Sequence, residues 1–225
     1  MKDPRILSIL IQDQYFKRPL IMNTDDYSSV SKDDPLNIEL ALSFIPRAFK
    51  RKEIKKSRSK SKAEIYTPIW LTNKMIDLVL EQDDFQVKEE FLTKTFLEIT
   101  CGEAPFLVQR YDSENGEEIE LKDRHGLLDL KMKVVNQISR TKRQWIMNTI
   151  TAYQTVYAYE LVADSLFLAR QNMFLSLFDY AEEFGIEPDG ELQEIIAYII
   201  SFNIIQLDGL KEDWLYKFID WKEDG

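Results

Sequence analysis

The chain has 225 residues, of which 44% are hydrophobic, so it is long enough to bury a core and is expected to form one main domain preceded by an arm. A single cysteine, Cys101, and a single histidine, His125, exclude a disulfide framework and argue against a Cys/His metal centre or a Ser-His-Asp triad. No apolar run approaches the roughly 20 residues of a membrane span, and the N-terminal "MKDPRILSILIQDQYFKRPL" has no small-residue cleavage site, so no membrane and a cytoplasmic location are expected.

In chain order, residues 1–62 read as an arm. "PLNIELALSFIPRAFKRKE" is amphipathic around Leu36, Leu40, Ser43 and Ala48, with Pro46 interrupting it. The net charge of −10 hides the segment 47–62, "RAFKRKEIKKSRSKSK", which carries Arg47, Lys50, Arg51, Lys52, Lys55, Lys56, Arg58, Lys60 and Lys62 against Glu53 alone. Two readings stay open for it: a solvated linker, or an electrostatic footprint for phosphate.

After Pro68 the pattern becomes regular. The spacing predicts a helix over 68–82, a short strand "TFLEIT" at 95–100, helices over 124–138 and 143–153, and a strand "TVYAYE" at 155–160. A long helix over 163–184, a helix over 191–200, a strand "FNIIQL" at 202–207 and a last strand "WLYKFIDW" at 214–221 complete the pattern. Strands alternating with helices imply an α/β fold, a parallel sheet with helices packed on it. Residues 110–150 exceed an ordinary crossover and are expected to be a packing elaboration.

Ligands in such sheets bind at the carboxyl ends of the strands. Glu98, Glu160 and Asp208 each stand at such an end, and Gly102 in "CGEA" lets the backbone approach a ligand closely. A carboxylate there suits ribose hydroxyls, which points to a nucleoside-containing cofactor. Other residues have plainer readings. Cys101 reads as a small buried hydrophobe, His125 as a helix-entry or surface residue, Tyr153, Tyr157 and Tyr159 as core or rim aromatics, and Asp164 as a helix cap.

"AEIYTPIWLTNKMIDLV", "FLEITCGEAPFLVQRY", "VYAYELVADSLFLARQN" and "IIQLDGL", in that order, resemble the N-terminal part of the adenine-specific DNA methyltransferases of type II restriction-modification systems, some of them fused to an endonuclease. The resemblance covers about residues 60–210. It implies a Rossmann-like S-adenosylmethionine-dependent methyltransferase fold over 63–225, incomplete within this sequence and preceded by the helical, basic arm 1–62. It further implies that Tyr66, Thr67 and Pro68 close over the methionine end of S-adenosylmethionine, and that Glu98, Cys101, Gly102, Glu103 and Ala104 form the glycine turn around that end. Glu160 would bind the ribose and Asp208 the adenine. Where the family often has a second glycine, this chain has Ala104. The family's Asn- or Asp-Pro-Pro-aromatic tetrapeptide is missing, since no Pro-Pro occurs in the chain. The implied partners are double-stranded DNA, through a complete enzyme or through the basic arm, and a complementary C-terminal polypeptide or endonuclease part. No catalytic residue is assigned, and a chain lacking the tetrapeptide is expected to be inactive alone. The alternative is a non-catalytic, degenerate module of the same fold that binds DNA or a partner subunit.

Overall fold

The computed structural model describes residues 3–27, 30–61, 67–82, 89–209 and 218–221. Its first helix, α1 (Pro4–Leu10), starts where Asp3 accepts the Arg5 N–H and Pro4 occupies a first-turn position that needs no donor. A short antiparallel ribbon follows, β1 (Gln12–Asp13) with β2 (Arg18–Pro19). Helix α2 (Ile38–Ser43) is capped by Asn37, which accepts the Leu40 N–H, and it stops before Pro46. Much of the basic run, for which a solvated linker and a phosphate footprint both stood open, is helical: in α3 (Lys52–Ser61) Lys, Glu and Arg, good helix formers, outnumber the three Ser and one Ile, with Glu53 in the first turn and Arg58 and Lys60 in the last.

The body begins with α4 (Ile69–Gln82) and β3 (Phe96–Ile99). Two helices, α5 (Leu127–Ile138) and α6 (Lys142–Gln154), lead to β4 (Val156–Glu160). Another two, α7 (Ala163–Phe184) and α8 (Gly190–Asn203), lead to β5 (Ile204–Gln206). The three strands pair in the order β3-β4-β5, with both pairings parallel and Phe96 opposite Val156 and Ala158 opposite Ile204. The expected α/β arrangement is therefore present as a three-stranded parallel sheet flanked by helices. Phe96, Val156, Ala158 and Ile204 are buried, whereas Leu97 and Ile99 on the other side of β3 remain 53% and 61% exposed.

The strand expected from residue 202 starts two residues later. Helix α8 runs on through Asn203, whose buried side-chain amide donates to the Tyr153 and Val156 carbonyls, so the chain passes from helix to strand without a loop. The strand expected at 214–221 falls partly outside the described residues, and 218–221 are not in a strand. The elaboration expected over 110–150 contains α5 and most of α6.

The N-terminal residues share the core of the body. Ile6, Leu7, Leu10, Leu20, Met22 and Leu36 are buried in one cluster with Leu166, Phe167 and Ile200. Arg170 of α7, with none of its surface exposed, fastens this junction by donating to the carbonyls of Leu10, Gln12, Ser201 and Ile204. Two of these acceptors lie at the last turns of α1 and α8, where carbonyls have no partner within the helix. Lys131 does the same for the start of the sheet. Its ammonium donates to the carbonyls of Phe91, Leu92 and Lys94 and to the Thr155 hydroxyl.

Candidate functional site at the carboxyl ends of the strands

Glu98 lies one residue before the end of β3, Glu160 ends β4, and Asp208 follows β5 by two residues. All three therefore gather at one edge of the sheet. The turn after β3 begins as a continuation of the ladder, with the Cys101 N–H bonded to the Tyr159 carbonyl at 2.9 Å. Three alternate residues then adopt positive φ: Thr100 at 55°, Gly102 at 56° and Ala104 at 62°. Glycine adopts this conformation freely, but an alanine there carries about 1–2 kcal/mol of steric cost. The position at which the resembling family often has glycine is thus one where this backbone favours it. Ala104 is fully buried, and its carbonyl accepts the Leu107 and Val108 N–H groups, which hold the conformation.

The glycine turn and Glu160 meet directly. The Gly102 N–H donates to Glu160 Oε2 at 3.0 Å, while the Leu161 and Val162 N–H groups donate to Oε1 at 2.8 and 3.0 Å. One carboxylate thus ties the turn after β3 to the loop after β4. Glu98 differs: its Oε2 is buried and has no hydrogen-bond partner among the described residues. Burial, and then the nearby Glu160 carboxylate, push the Glu98 carboxyl well above the usual range. Cys101 is buried beside them, and burial followed by the charges of Glu98 and Glu160 pushes its thiol up, which keeps it protonated and unreactive.

The remaining turn residues take other places. Glu103, 2% exposed, accepts the Arg47 N–H and the Tyr111 hydroxyl, both at 2.7 Å, and its carboxyl is raised by burial. Asn172 of α7 donates to the Glu103 carbonyl and to the Tyr111 oxygen, so Glu103 braces the outside of the turn. Thr67 and Pro68 sit at the start of α4, where their carbonyls accept from Thr72. That helix is fastened to the segment beyond the turn by Gln109 to Asn73 and by His125 to Asp77. Tyr66 lies outside the described residues. Beside Asp208, Gly209 rests on the Tyr159 ring, where a β-carbon would come within 2.6 Å.

Residues 21–23 cross the ends of β4 and β5. The Gln206 side chain exchanges hydrogen bonds with the Ile21 backbone and also donates to the Leu161 carbonyl, which accepts a second bond from Asn23. The Ala163 N–H bonds to the Met22 carbonyl. The loop holding Glu160 is therefore set by the N-terminal segment as well as by the sheet.

Asp164 is not the expected cap of α7, whose N-cap position is Val162 without a side-chain bond. It is instead a fully buried carboxylate whose Oδ2 accepts from Tyr27, Lys50 and Arg58, each at 2.7 Å. Burial alone would raise its pKa, but the cations Lys50 and Arg58 hold it far below the usual carboxylate range. The partners Lys50 and Arg58 are 114 and 106 positions away along the chain, so no local pattern could have revealed the cluster. Tyr153 and Tyr157 have the structural roles expected, donating to the carbonyls of Met173 and Ile219.

Among the described residues no group of side chains has the composition of a metal site, and no helix is long and apolar enough to cross a membrane. Chemically, this edge of the sheet gathers carboxyl groups, of which Glu160 already accepts three amides of its own chain and Glu98 Oε2 is a buried acceptor without a partner among the described residues. Neither a protein-family model, nor a curated protein, nor a solved structure matches this chain.

Proposed function

We propose that the chain is the S-adenosylmethionine-binding part of a DNA adenine methyltransferase of a restriction-modification system, with a Rossmann-like methyltransferase fold. The observation that carries this reading is the 3.0 Å bond between the Gly102 amide and the Glu160 carboxylate, which joins the glycine turn and the acid at the ends of two adjacent parallel strands. The residues present fit the cofactor. Gly102 has no side chain to obstruct it, Glu160 is an acid of the kind that grips a ribose diol, and the unpartnered Glu98 Oε2 supplies a buried acceptor for a hydroxyl or ammonium. When bound, the cofactor supplies an electrophilic methyl group on sulfur.

The chain's own residues bind and orient. Glu98, the 101–104 turn, Glu160 and Asp208 form the floor, and the N-terminal segment at 21–23 steadies the loop after β4. Accepting a flipped adenine and fixing its amine needs further groups of the missing tetrapeptide's kind. Transfer to duplex DNA by this chain alone should therefore stay at background.

Calorimetric titration with S-adenosylmethionine tests the reading. Binding is expected, and Glu160→Gln should weaken it by about 1–3 kcal/mol, roughly 5- to 150-fold, because the variant loses the anion and sets an amide N–H against one of the backbone N–H groups that both Glu160 oxygens now accept. Absence of heat at millimolar cofactor would refute it. A second reading, a non-catalytic module of the same fold, is favoured by the way Glu160 already ties three amides of its own chain. That module would give no heat while its loops remain intact by circular dichroism.

A further inference from the structure

Of the nine cations in the run 47–62, the structure turns some inward and some outward. Lys50 and Arg58 are buried against Asp164, and Lys55 donates to the Ala48 carbonyl. Arg51, Lys52, Lys56 and Lys60 are exposed. In α3, Lys52, Lys56 and Lys60 are spaced by four, so they lie in one row at intervals of about 6 Å along the helix. Arg58, two positions from both Lys56 and Lys60, points to the opposite side, where Asp164 and Asp26 hold it. The helix is thus anchored by its inner cations with the outer row facing solvent, and Glu53 is the single acid within the run.

We infer that this outer row of α3, with Arg51, is a docking surface for the phosphate backbone of duplex DNA. Backbone phosphates are spaced about 3.4 Å apart along each strand's axis, so a rigid row some 12 Å long meets several of them at once. The anchoring through Asp164 means that little ordering is required on binding. The net charge of −10 opposes polyanions over the molecule as a whole, so any attraction must be local to this row. Phosphate contacts of this kind hold DNA without reading its sequence. The choice of duplex DNA as the polyanion rests on the function proposed above.

Anisotropy of a labelled mixed-sequence 20-base-pair duplex, titrated with the full chain over a salt series, tests this. Four neutralised phosphates predict a slope of log K against log salt of about −3 to −4, whereas all nine cations would give about −8. The triple variant Lys52→Ala, Lys56→Ala, Lys60→Ala should reduce the slope to about −1, while its unfolding midpoint and its calorimetric response to S-adenosylmethionine stay those of the parent. Absence of binding at low salt, an unchanged slope in the triple variant, or binding to phosphatidylserine vesicles without binding to the duplex would each overturn the inference. The cofactor titration is independent of these outcomes: a chain that binds the duplex but not the cofactor keeps the docking surface and loses the methyltransferase reading.

Discussion

Replacing Asp164 by Asn should be among the most damaging single changes to this protein's stability. The two side chains have nearly the same shape, so no cavity forms, and the whole effect is electrostatic. Asp164 accepts from Tyr27, Lys50 and both terminal nitrogens of Arg58, and from the Ser165 N–H. An amide nitrogen in place of one oxygen would set donors against donors and leave buried Lys50 without its ion-pair partner. Arg58 would keep its second partner, Asp26. Breaking a buried pair in this way costs about 3–5 kcal/mol, a large part of a total stability of about 5–15 kcal/mol. With a urea slope of about 3 kcal/mol per molar, the unfolding midpoint should fall by about 1–1.7 M. The pH dependence supplies a second check. Because Lys50 and Arg58 overcome the effect of burial and depress the Asp164 pKa in the folded state, its contribution is present above the unfolded value of about 3.9 and is lost as pH falls below it. The gap between parent and variant should therefore narrow between pH 7 and pH 3. A midpoint shift below about 0.3 M at pH 7 would show that the buried carboxylate is not what holds Lys50 and Arg58 in place.

Arg170→Met should cost about 3 kcal/mol or more, since it removes the donor from four carbonyls of α1, β1, α8 and β5, three of them in buried bonds, and hydrogen exchange should show α1 losing protection first. Retained protection across α1 would argue against Arg170 as the fastener of that junction. At the turn, Ala104→Gly should leave the melting temperature within a few degrees, because relief of the left-handed strain offsets loss of a buried methyl worth about 0.8 kcal/mol. Ala104→Val, which puts a branched side chain at positive φ in a fully buried position, should lower it by at least about 4 °C, and an unchanged melt would contradict that geometry.

Much of the body was legible from local pattern. "TFLEIT" and "TVYAYE" read as strands because apolar and β-branched or aromatic residues are bounded by polar ones, and α4, α5 and α7 read as helices from their apolar spacing. The gathering of Glu98, Glu160 and Asp208 at one edge followed from strand alternation alone, because consecutive parallel strands end on the same side. The run 47–62 showed its charge but neither its helix nor the division of its cations into inner and outer. Asp164, Lys131 and Arg170 were equally opaque. In sequence they are charges on helices, which usually face water, and their burial is tolerable only because particular acids and carbonyls are brought to them. Those partners come from segments distant in the chain: Lys50 and Arg58 for Asp164, the 91–94 backbone for Lys131, and the ends of α1 and α8 for Arg170. Apolar periodicity is a local property and determined the elements, whereas the placement of buried charge depends on which distant groups can satisfy it, and only the tertiary structure decided that.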